Sequence, residues 1–407
     1  MRLSAGFILS FALLTAWGAG RSAEKSVPLP DFRWVAKAPQ LPTPTGEVIH
    51  VRTVEELYAA ADRVKPGGTI CVADGHYRLP RFVDLRTNDI TLRSESGQRE
   101  KVILDGENSV GELVWVSRCS GVTIADLTIQ NVRWNGFKIN SDIGATKVTI
   151  YNCVIHNIWQ RGIKGPAVPK ECRATDRPSD CRVQYCLFYN DRPKTYADEP
   201  ADTPQNFDGN YIGGMDIMYP LRWTISDNVF FGIQGRTREA RGAVFLWHEA
   251  EDCVVERNVI VDCDCGICLG NSHRGPGTEL HCLRYLVRNN FVTRCPENGI
   301  LADYTHDCRI LHNTIHDPRS RLRRLIRVVH DNEGLVVANN LLSGPPMRVE
   351  TISALRVEGN TTCDSTELFL DPAKGNLHLR DDAIKRMGRV PRRSDVPEDI
   401  KIGRAHV

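Results

Sequence analysis

The sequence has almost no net charge and no long hydrophobic stretch. Its 407 residues carry 52 Lys and Arg against 50 Asp and Glu, a formal charge of +2. A nucleic-acid partner is therefore not expected. The apolar run AGFILSFALLTAWGAG, residues 5–20, is short for a membrane span. Because this run follows MR and ends in small residues, it predicts a signal peptide over residues 1–22. We expect a secreted or periplasmic protein without an integral membrane segment after cleavage.

Amphipathic segments of helix length are missing between the apolar stretches of the central sequence. This absence argues against βαβ units, which need a crossover helix between parallel strands. A short phrase recurs instead, as DNVFFGI, RNVIVDC, NNFVTRC, HNTIHDP and NNLLSGP. The shared Asn of this phrase falls at Asn228, Asn258, Asn290, Asn313, Asn340 and Asn360. In earlier copies of the repeat, the same position is occupied by Leu127, Cys153 and Cys186.

The gaps between these Asn residues vary from 20 to 32 residues, which indicates a constant unit with loops of variable length. Each copy contains two short β-rich segments, and the second usually follows a Gly, as in GAVFLW and GILAD. Strands joined only by turns stack coil upon coil in a β-solenoid. We expect each Asn to adopt left-handed turn geometry and to hydrogen-bond the Asn of neighbouring coils.

Two further segments carry a family resemblance. TVEELYAAADRVKPGGTICVADGHYRL (53–79) and FLDPAKGNLHLRDDAIKRMG (369–388), together with the repeats, resemble right-handed parallel β-helix proteins of the pectate-lyase type. The resemblance covers residues 48–388 and implies an all-β, single-stranded right-handed parallel β-helix with PbH1-type repeats and an N-terminal capping helix. Thr53 and Glu56 have the spacing of a capping box. Residues 23–47 are predicted to be a Pro-rich extended leader, and residues 389–407 a polar tail whose last residues are an artefact.

Fourteen cysteines in an exported chain favour disulfide bonds. Cys172 and Cys181 bracket an insertion, so a local disulfide is predicted between them. Cys263 and Cys295 each lie five residues after their repeat Asn and are expected on adjacent coils, about 4.8 Å apart. They form either a disulfide or a buried pair of free thiols. The run CDCGIC lacks a second matching cluster, so core or disulfide cysteines are favoured over a metal site.

Alternation in the Gly-led strands predicts a strip of outward residues on stacked coils. We interpret this strip as a groove for an acidic polysaccharide, because a Trp stacks on sugar rings and basic groups pair with uronate or sulfate. The candidate catalytic residues are Lys138, Lys164, Asp216 and His248. The candidate substrate-binding residues are Trp247, Asn271, His273, Arg274, Asp303, Arg327 and His330.

The resemblance further implies a chemistry. Lyases of this fold remove the proton next to a uronate carboxylate with a Lys, Arg or His base, while a cation, often Ca²⁺, neutralises the acid group. Asp216 and Asp303 are the candidates for holding that cation. The favoured interpretation is a monomeric polysaccharide lyase acting by β-elimination. A glycoside hydrolase of the same fold, with Asp208 and Asp216 as its two carboxylates, and a non-catalytic carbohydrate-binding or surface protein are the alternatives.

Overall fold

The computed structural model describes residues 28–275, 278–345, 347–363 and 366–383. The predicted signal peptide (1–22) and the predicted tail (389–407) lie outside the described residues.

Three long sheets of short strands form the body of the protein, and the strands within each sheet pair in parallel. Each strand pairs with the equivalent strand of the next coil, as Ile225 does with Val255 and Val255 with Val287. This topology confirms the predicted right-handed parallel β-helix.

Sheet 1 contains the strands that precede the repeat Asn. They are Val48–Val51, Thr69–Val72, Thr91–Ser94, Thr123–Ala125, Thr149–Tyr151, Arg182–Gln184, Thr224–Ser226, Val254–Glu256, Leu286–Arg288, Arg309–Leu311, Val336–Ala338 and Arg356–Glu358. Sheet 2 follows the Asn. Its strands are Gly75–Arg78, Val102–Asp105, Thr128–Val132, Val154–Ile158, Leu187–Tyr189, Val229–Phe231, Val259–Val261, Phe291–Thr293, Thr314–His316, Leu341–Ser343 and Thr361–Cys363.

Sheet 3 contains the Gly-led strands and completes each coil. Its strands are Val83–Leu85, Glu112–Val116, Asn135–Ile139, Arg161–Gly165, Gly213–Met218, Gly242–Trp247, Ala250–Glu251, Cys265–Leu269, Cys282–Leu283, Asn298–His306, Ile326–Glu333 and Arg348–Glu350. The recurrent Gly is explained by close stacking of the coils. A Cβ on Gly214 would lie 2.3 Å from the carbonyl oxygen of Ala243, and one on Gly299 would lie 2.4 Å from that of Leu325. Any larger residue would push neighbouring coils apart.

The repeat Asn residues form the predicted ladder between sheets 1 and 2. The backbone N–H and the side-chain Nδ2 of Asn258 both donate to Oδ1 of Asn290, each over 3.0 Å. The same pair of bonds joins Asn290 to Asn313, at 3.1 and 2.9 Å. Earlier coils continue it, because Oδ1 of Asn228 accepts from the backbone N–H of Cys186 at 2.9 Å.

The expected left-handed geometry belongs to the residue before each ladder position. Asp227, Arg257 and Asn289 have φ values of 61°, 53° and 54°. The left-handed residue turns the chain between two strands, and the buried Asn that follows supplies the hydrogen bonds. The turn and the ladder are therefore carried by two adjacent residues.

One helix closes the N-terminal end of the solenoid. Helix α1 spans Val54–Arg63 and buries Leu57, Ala60 and Ala61 in the main core. Thr53 caps it by accepting from the backbone N–H of Glu56 at 3.2 Å. The predicted capping helix is thus present.

The two segments flanking the solenoid pack on the outer face of sheet 2. Phe32 and Trp34 of the leader contact Phe231 and Phe291, with ring centroids 6.2 and 6.4 Å apart. The antiparallel hairpin Phe369–Asp371 and Asn376–Leu379 packs against the same face. The leader also contacts sheet 1, where the carbonyls of Pro39 and Pro42 accept from Tyr151 and Arg93. Within the described residues, sheet 3 is therefore the face that neither flanking segment covers.

None of the thirteen cysteines from Cys71 to Cys308 forms a disulfide in the structure. The disulfide predicted between Cys172 and Cys181 is therefore absent. Cys181 is buried, with Sγ 3.4 Å from the backbone N of Val148, whereas Cys172 lies half-buried in a short 3₁₀ helix of the insertion. Cys263 and Cys295 are both buried in the core, which agrees with a pair of buried thiols.

Candidate functional site

The outward side chains of sheet 3 stack in the register that the sequence predicts. Lys138 pairs with Lys164, and Lys164 with Asp216, on three successive coils. The inward neighbours Phe137, Ile163 and Met215, with exposures of 0–1%, lie in the core. Lys138, Lys164 and Asp216 are therefore brought together on one face.

Asp216 is the centre of a closed polar network. Its Oδ2 accepts from Nζ of Lys164 at 2.9 Å and from Nε of Arg161 at 3.0 Å, while its Oδ1 accepts from Nε1 of Trp247 at 2.9 Å. Burial alone would raise the pKa of Asp216, but Lys164 and Arg161 hold it well below its ordinary value. The carboxylate stays ionised and has no oxygen left for a substrate.

Trp247 is not the open stacking platform that the sequence suggests. It is only 8% exposed, and its ring lies between those of Phe245 and His248, with centroids 4.8 and 3.8 Å away. His248 is buried as well, and burial lowers its pKa to about 4. Trp247 and His248 lie beside Asp216 as predicted, but neighbouring side chains bury them and leave little of either exposed to solvent.

Lys138 lies one coil beyond Lys164 and has a different environment. Its Nζ lies 3.2 Å from Glu112 and 4.6 Å from the ring centre of Trp115. Glu112 also accepts from Nδ2 of Asn135 at 2.7 Å. Lys138 thus belongs to a separate polar patch on the same face.

An open cleft of about 550 Å³ lies on the next coils of sheet 3. Its floor is apolar, formed by Phe245, Cys265, Cys268 and Leu301. Polar side chains and one exposed ring line its walls and rim, namely Phe207, Asn210, Glu239, Arg241, Asn271, Ser272, His273, Glu297, Asn298 and Arg327. Three predicted binding residues, Asn271, His273 and Arg327, therefore meet in one place. An apolar floor with polar walls matches the two kinds of surface on a sugar ring.

A buried aspartate next to this cleft bonds both a histidine and the cleft residue Ser272. Asp303 has no exposed surface and accepts from Nδ1 of His330 at 2.7 Å and from the hydroxyl of Ser272 at 3.0 Å. The side chain of His330 is 39% exposed and stacks on Tyr304 with centroids 4.7 Å apart. Arg274 lies 4.1 Å from the ring centre of Tyr304. Since Nδ1 is held by the carboxylate, Nε2 is the nitrogen left to handle a proton.

Burial raises the pKa of Asp303 above its ordinary value, although the hydrogen bond from His330 acts in the opposite direction. Because little water surrounds this buried carboxylate, each of its two hydrogen bonds stabilises it more than the same bond would stabilise an exposed carboxylate. Asp303 is thus enclosed by His330 and Ser272, and its carboxylate has no exposed surface with which to contact a ligand.

The two candidate metal ligands do not fit a calcium site. Both oxygens of Asp216 are engaged by Lys164, Arg161 and Trp247, and both oxygens of Asp303 by His330 and Ser272. Ca²⁺ needs six to eight oxygen ligands. No group of three or more His, Cys, Asp or Glu side chains in the described part of the chain is placed to hold a metal ion.

Three cleft residues were missed by sequence reasoning. Phe207 is 49% exposed at the rim, and Arg241 has no ion pair among the described residues. Asn298 is 4% exposed, and its buried Oδ1 has no hydrogen-bond partner there. Their position at the start of sheet-3 strands or in the preceding loops was the available signal, because loops over a rigid scaffold often carry function.

Comparison with known proteins gives one family match. Residues 205–360 match the family model described as NosD, periplasmic copper-binding protein. The match spans the whole cleft from Phe207 to Arg327. No curated protein sequence matches the chain. Within the described residues, no helix has the length and apolar composition of a membrane span.

Several solved structures resemble the chain at low identity. An alginate lyase from Paenibacillus sp. str. FPU-7 is 12% identical over 78% of this chain and 99% of its own, with a TM-score of 0.39. The pectate lyase Pel9A is 11% identical over 83% and 90%, with a TM-score of 0.43. The GH136 lacto-N-biosidase from Eubacterium ramulus is 12% identical over 78% and 68%, with a TM-score of 0.45. At these TM-scores the likenesses carry no argument about what this chain does.

Proposed function

We propose that the protein binds an acidic, uronate-containing polysaccharide in the sheet-3 cleft and cleaves it by β-elimination, with His330 as the general base. The observation that carries the proposal is the buried Asp303, which bonds the exposed His330 through one oxygen and Ser272, a residue that lines the cleft, through the other. A histidine whose other nitrogen is anchored by a carboxylate has a fixed tautomer and orientation, as general-base catalysis requires.

The reaction assigns a task to each part of the cleft. Nε2 of His330 takes the proton from the carbon next to the uronate carboxylate. The electrons of that C–H bond form a carbon–carbon double bond as the glycosidic C–O bond breaks. The departing oxygen takes a proton from water and becomes a hydroxyl, and His330 returns its proton to the hydroxide that remains. A nearby cation stabilises the charge that develops on the carboxylate.

Arg241 and Arg327 are the cations available for this purpose. Arg327 pairs with Glu350 at 2.6 Å, whereas Arg241 forms no ion pair with any described residue. The unpaired guanidinium of Arg241 can therefore form a bidentate contact with a uronate carboxylate. The apolar floor at Phe245 and Leu301 contacts the C–H face of the sugar.

Lys164, the base favoured from the sequence, is less suited to this task. Its side chain is 14% exposed and its ammonium is bonded to the buried Asp216. The hydrolase alternative gains no support either, because Asp216 is enclosed while Asp208 lies in a surface loop, bonded to Tyr196 and Arg236.

Copper is the ligand printed in the description of the matched family. The described residues contain no cluster of three metal-binding side chains, and the buried imidazoles His248 and His281 supply at most two nitrogens, with ring centroids 5.2 Å apart. A copper site is therefore not proposed.

The test is a panel of uronate-containing polysaccharides, monitored by the ultraviolet absorbance of unsaturated uronate and by a reducing-end assay. Absorbance together with new ends supports a lyase. New ends alone indicate a hydrolase, and binding without either signal indicates a non-catalytic binder.

Substitution of the base sharpens this test. His330→Ala should lower kcat by about 10²- to 10⁴-fold, the usual contribution of a general base. His306→Ala is the matched control, because His306 is 38% exposed at its side chain and pairs with surface carboxylates. Equal activity of both variants on a substrate that the parent cleaves would exclude His330 as the base.

A further inference from the structure

A second exposed aromatic ring lies on the same side of sheet 3, away from the cleft. Trp134 immediately precedes the strand Asn135–Ile139 and is 42% exposed. A Cβ on Gly111 would lie 2.5 Å from Cε3 and 2.7 Å from Cζ3 of this indole. The ring therefore rests on the bare backbone of Gly111, and a large part of it stays exposed to solvent.

The surroundings of Trp134 are polar. Glu112 follows Gly111 and accepts from Asn135 at 2.7 Å and from Lys138 at 3.2 Å. Among the exposed large apolar residues of the described chain, Trp134 and Ile143 are the two from this part of sheet 3. A protein interface would need a broader apolar surface, whereas one open indole beside an amide, a carboxylate and an ammonium suits a sugar ring.

A continuous path links Trp134 to the cleft. The backbone N–H of Arg161 donates to the carbonyl of Trp134 at 2.9 Å, and the guanidinium of Arg161 lies 4.0 Å from the ring centre of Tyr211. Tyr211 in turn lies 4.6 Å from Phe207, the exposed ring at the cleft rim. The strands starting at Asn135, Arg161 and Gly213 are on successive coils. The cleft floor at Phe245, Cys268 and Leu301 lies on strands three, four and five coils away from the strand that follows Trp134. This separation is about 14–24 Å along the axis.

We infer that Trp134 forms a second sugar subsite, on which the face of a pyranose ring stacks, and that one polysaccharide chain lies along the solenoid axis from the cleft past Phe207 to Trp134. This inference rests on the proposed function, since it takes the cleft ligand to be a polysaccharide. It adds that the ligand is an extended chain, because a short oligosaccharide in the cleft does not reach Trp134.

The test compares dissociation constants for a long uronate polysaccharide and for its trisaccharide, measured by isothermal titration calorimetry. Trp134→Ala should weaken binding of the long chain about fivefold or more, which is the size of one aromatic stacking contact, and leave trisaccharide binding unchanged. Trp134→Phe should retain most of the affinity. Gly111→Ala should reproduce part of the loss, because the added Cβ displaces an otherwise intact indole.

Two controls separate the possible outcomes. Ile352→Ala removes an apolar side chain that is 99% exposed, so it should change neither affinity. Phe207→Ala should weaken both ligands, because Phe207 lines the cleft itself. If Trp134→Ala binds the long chain like the parent while Phe207→Ala does not, the second subsite is wrong and the proposed function stands. Equal weakening of both ligands by Trp134→Ala would also overturn it. If the parent binds no polysaccharide of the panel, the proposed function and the subsite both fail.

Discussion

Replacing Asp216 by Asn should destabilise the protein more than any surface substitution. The change removes the carboxylate that both Arg161 and Lys164 contact. The side chain of Arg161 is 1% exposed, and that of Lys164 is 14% exposed. Lys164 has room to turn towards water, whereas the guanidinium of Arg161 stays buried without an anion. Removing one partner of a buried ion pair typically costs about 3–5 kcal/mol.

The lower end of that range is expected for this network. Arg161 retains a 3.0 Å hydrogen bond to the carbonyl of Gln160 and its contact with the ring of Tyr211. An Asn at position 216 also keeps an oxygen for the indole N–H of Trp247. We therefore expect the free energy of unfolding to fall by about 3 kcal/mol.

The assay is urea denaturation at pH 7, followed by far-ultraviolet circular dichroism, with the slope compared between variants because solenoids can lose cooperativity. Glu107→Gln is the control, since it breaks an exposed pair with Arg78 whose side chains are 55% and 68% exposed. Its effect should stay within about 0.5 kcal/mol. A loss for Asp216→Asn no larger than this control would refute the reasoning.

Acid should erase the difference between the parent and Asp216→Asn. The pKa of Asp216 is lowered in the folded state from its ordinary value of 3.8. The carboxylate therefore contributes its full stability above about pH 4, and this contribution is lost as the pH falls towards the folded pKa. The two unfolding curves should converge as the pH drops below 4.

Three other predictions test the fold. Asn290→Leu should lower the free energy of unfolding by about 1–3 kcal/mol in urea denaturation, because the donors and acceptors of two neighbouring coils lose their partners. Burial lowers the pKa of His248 and of His281 to about 4 in the folded protein, whereas a histidine in the unfolded chain has a pKa of about 6.5. The unfolded chain therefore binds more protons between these pH values, and the urea concentration at the midpoint of unfolding should decrease as the pH is lowered from 6.5 to 4. A midpoint that stays constant over this range would contradict the reasoning. Peptide mapping without reductant should recover Cys172 and Cys181 as free thiols, with Cys172 labelled faster by a thiol reagent because Cys181 is buried.

The repeated elements of the fold could be predicted because they depend on local rules that recur. An Asn three residues after an inward apolar residue, as Asn258 follows Val255, sets the register of every coil in which it appears. Alternation in the Gly-led strands then decides which side chains face out, so the sequence alone places Lys138, Lys164 and Asp216 on one face. The capping helix followed from Thr53 and Glu56 in the same way.

The site was harder to predict because outward direction does not determine exposure. Trp247 points away from the core as expected, but neighbouring rings and the indole bond to Asp216 cover it. Arg161, which completes that network, lies just before the Gly of its strand and was not recognised. The cleft depends on loops of irregular length, and Phe207 belongs to no repeating pattern. Asn298 does stand at the repeating position before the strand Gly, but that position alone does not show that it lines a cleft.

The asparagine ladder has a direction along the chain. From Asn228 to Asn340, each ladder Asn donates its backbone and side-chain N–H groups to the Oδ1 of the Asn in the following coil, as Asn228 does to Asn258 over 3.1 and 3.0 Å. The side-chain Nδ2 of Asn228 also donates to the carbonyl of Val183 in the preceding coil, so only the backbone N–H depends on the coil that follows. A chain that ended after one of these coils would leave that N–H without its partner. The two ends of the ladder are therefore not equivalent, and loss of a coil on the C-terminal side costs a hydrogen bond at the coil before it.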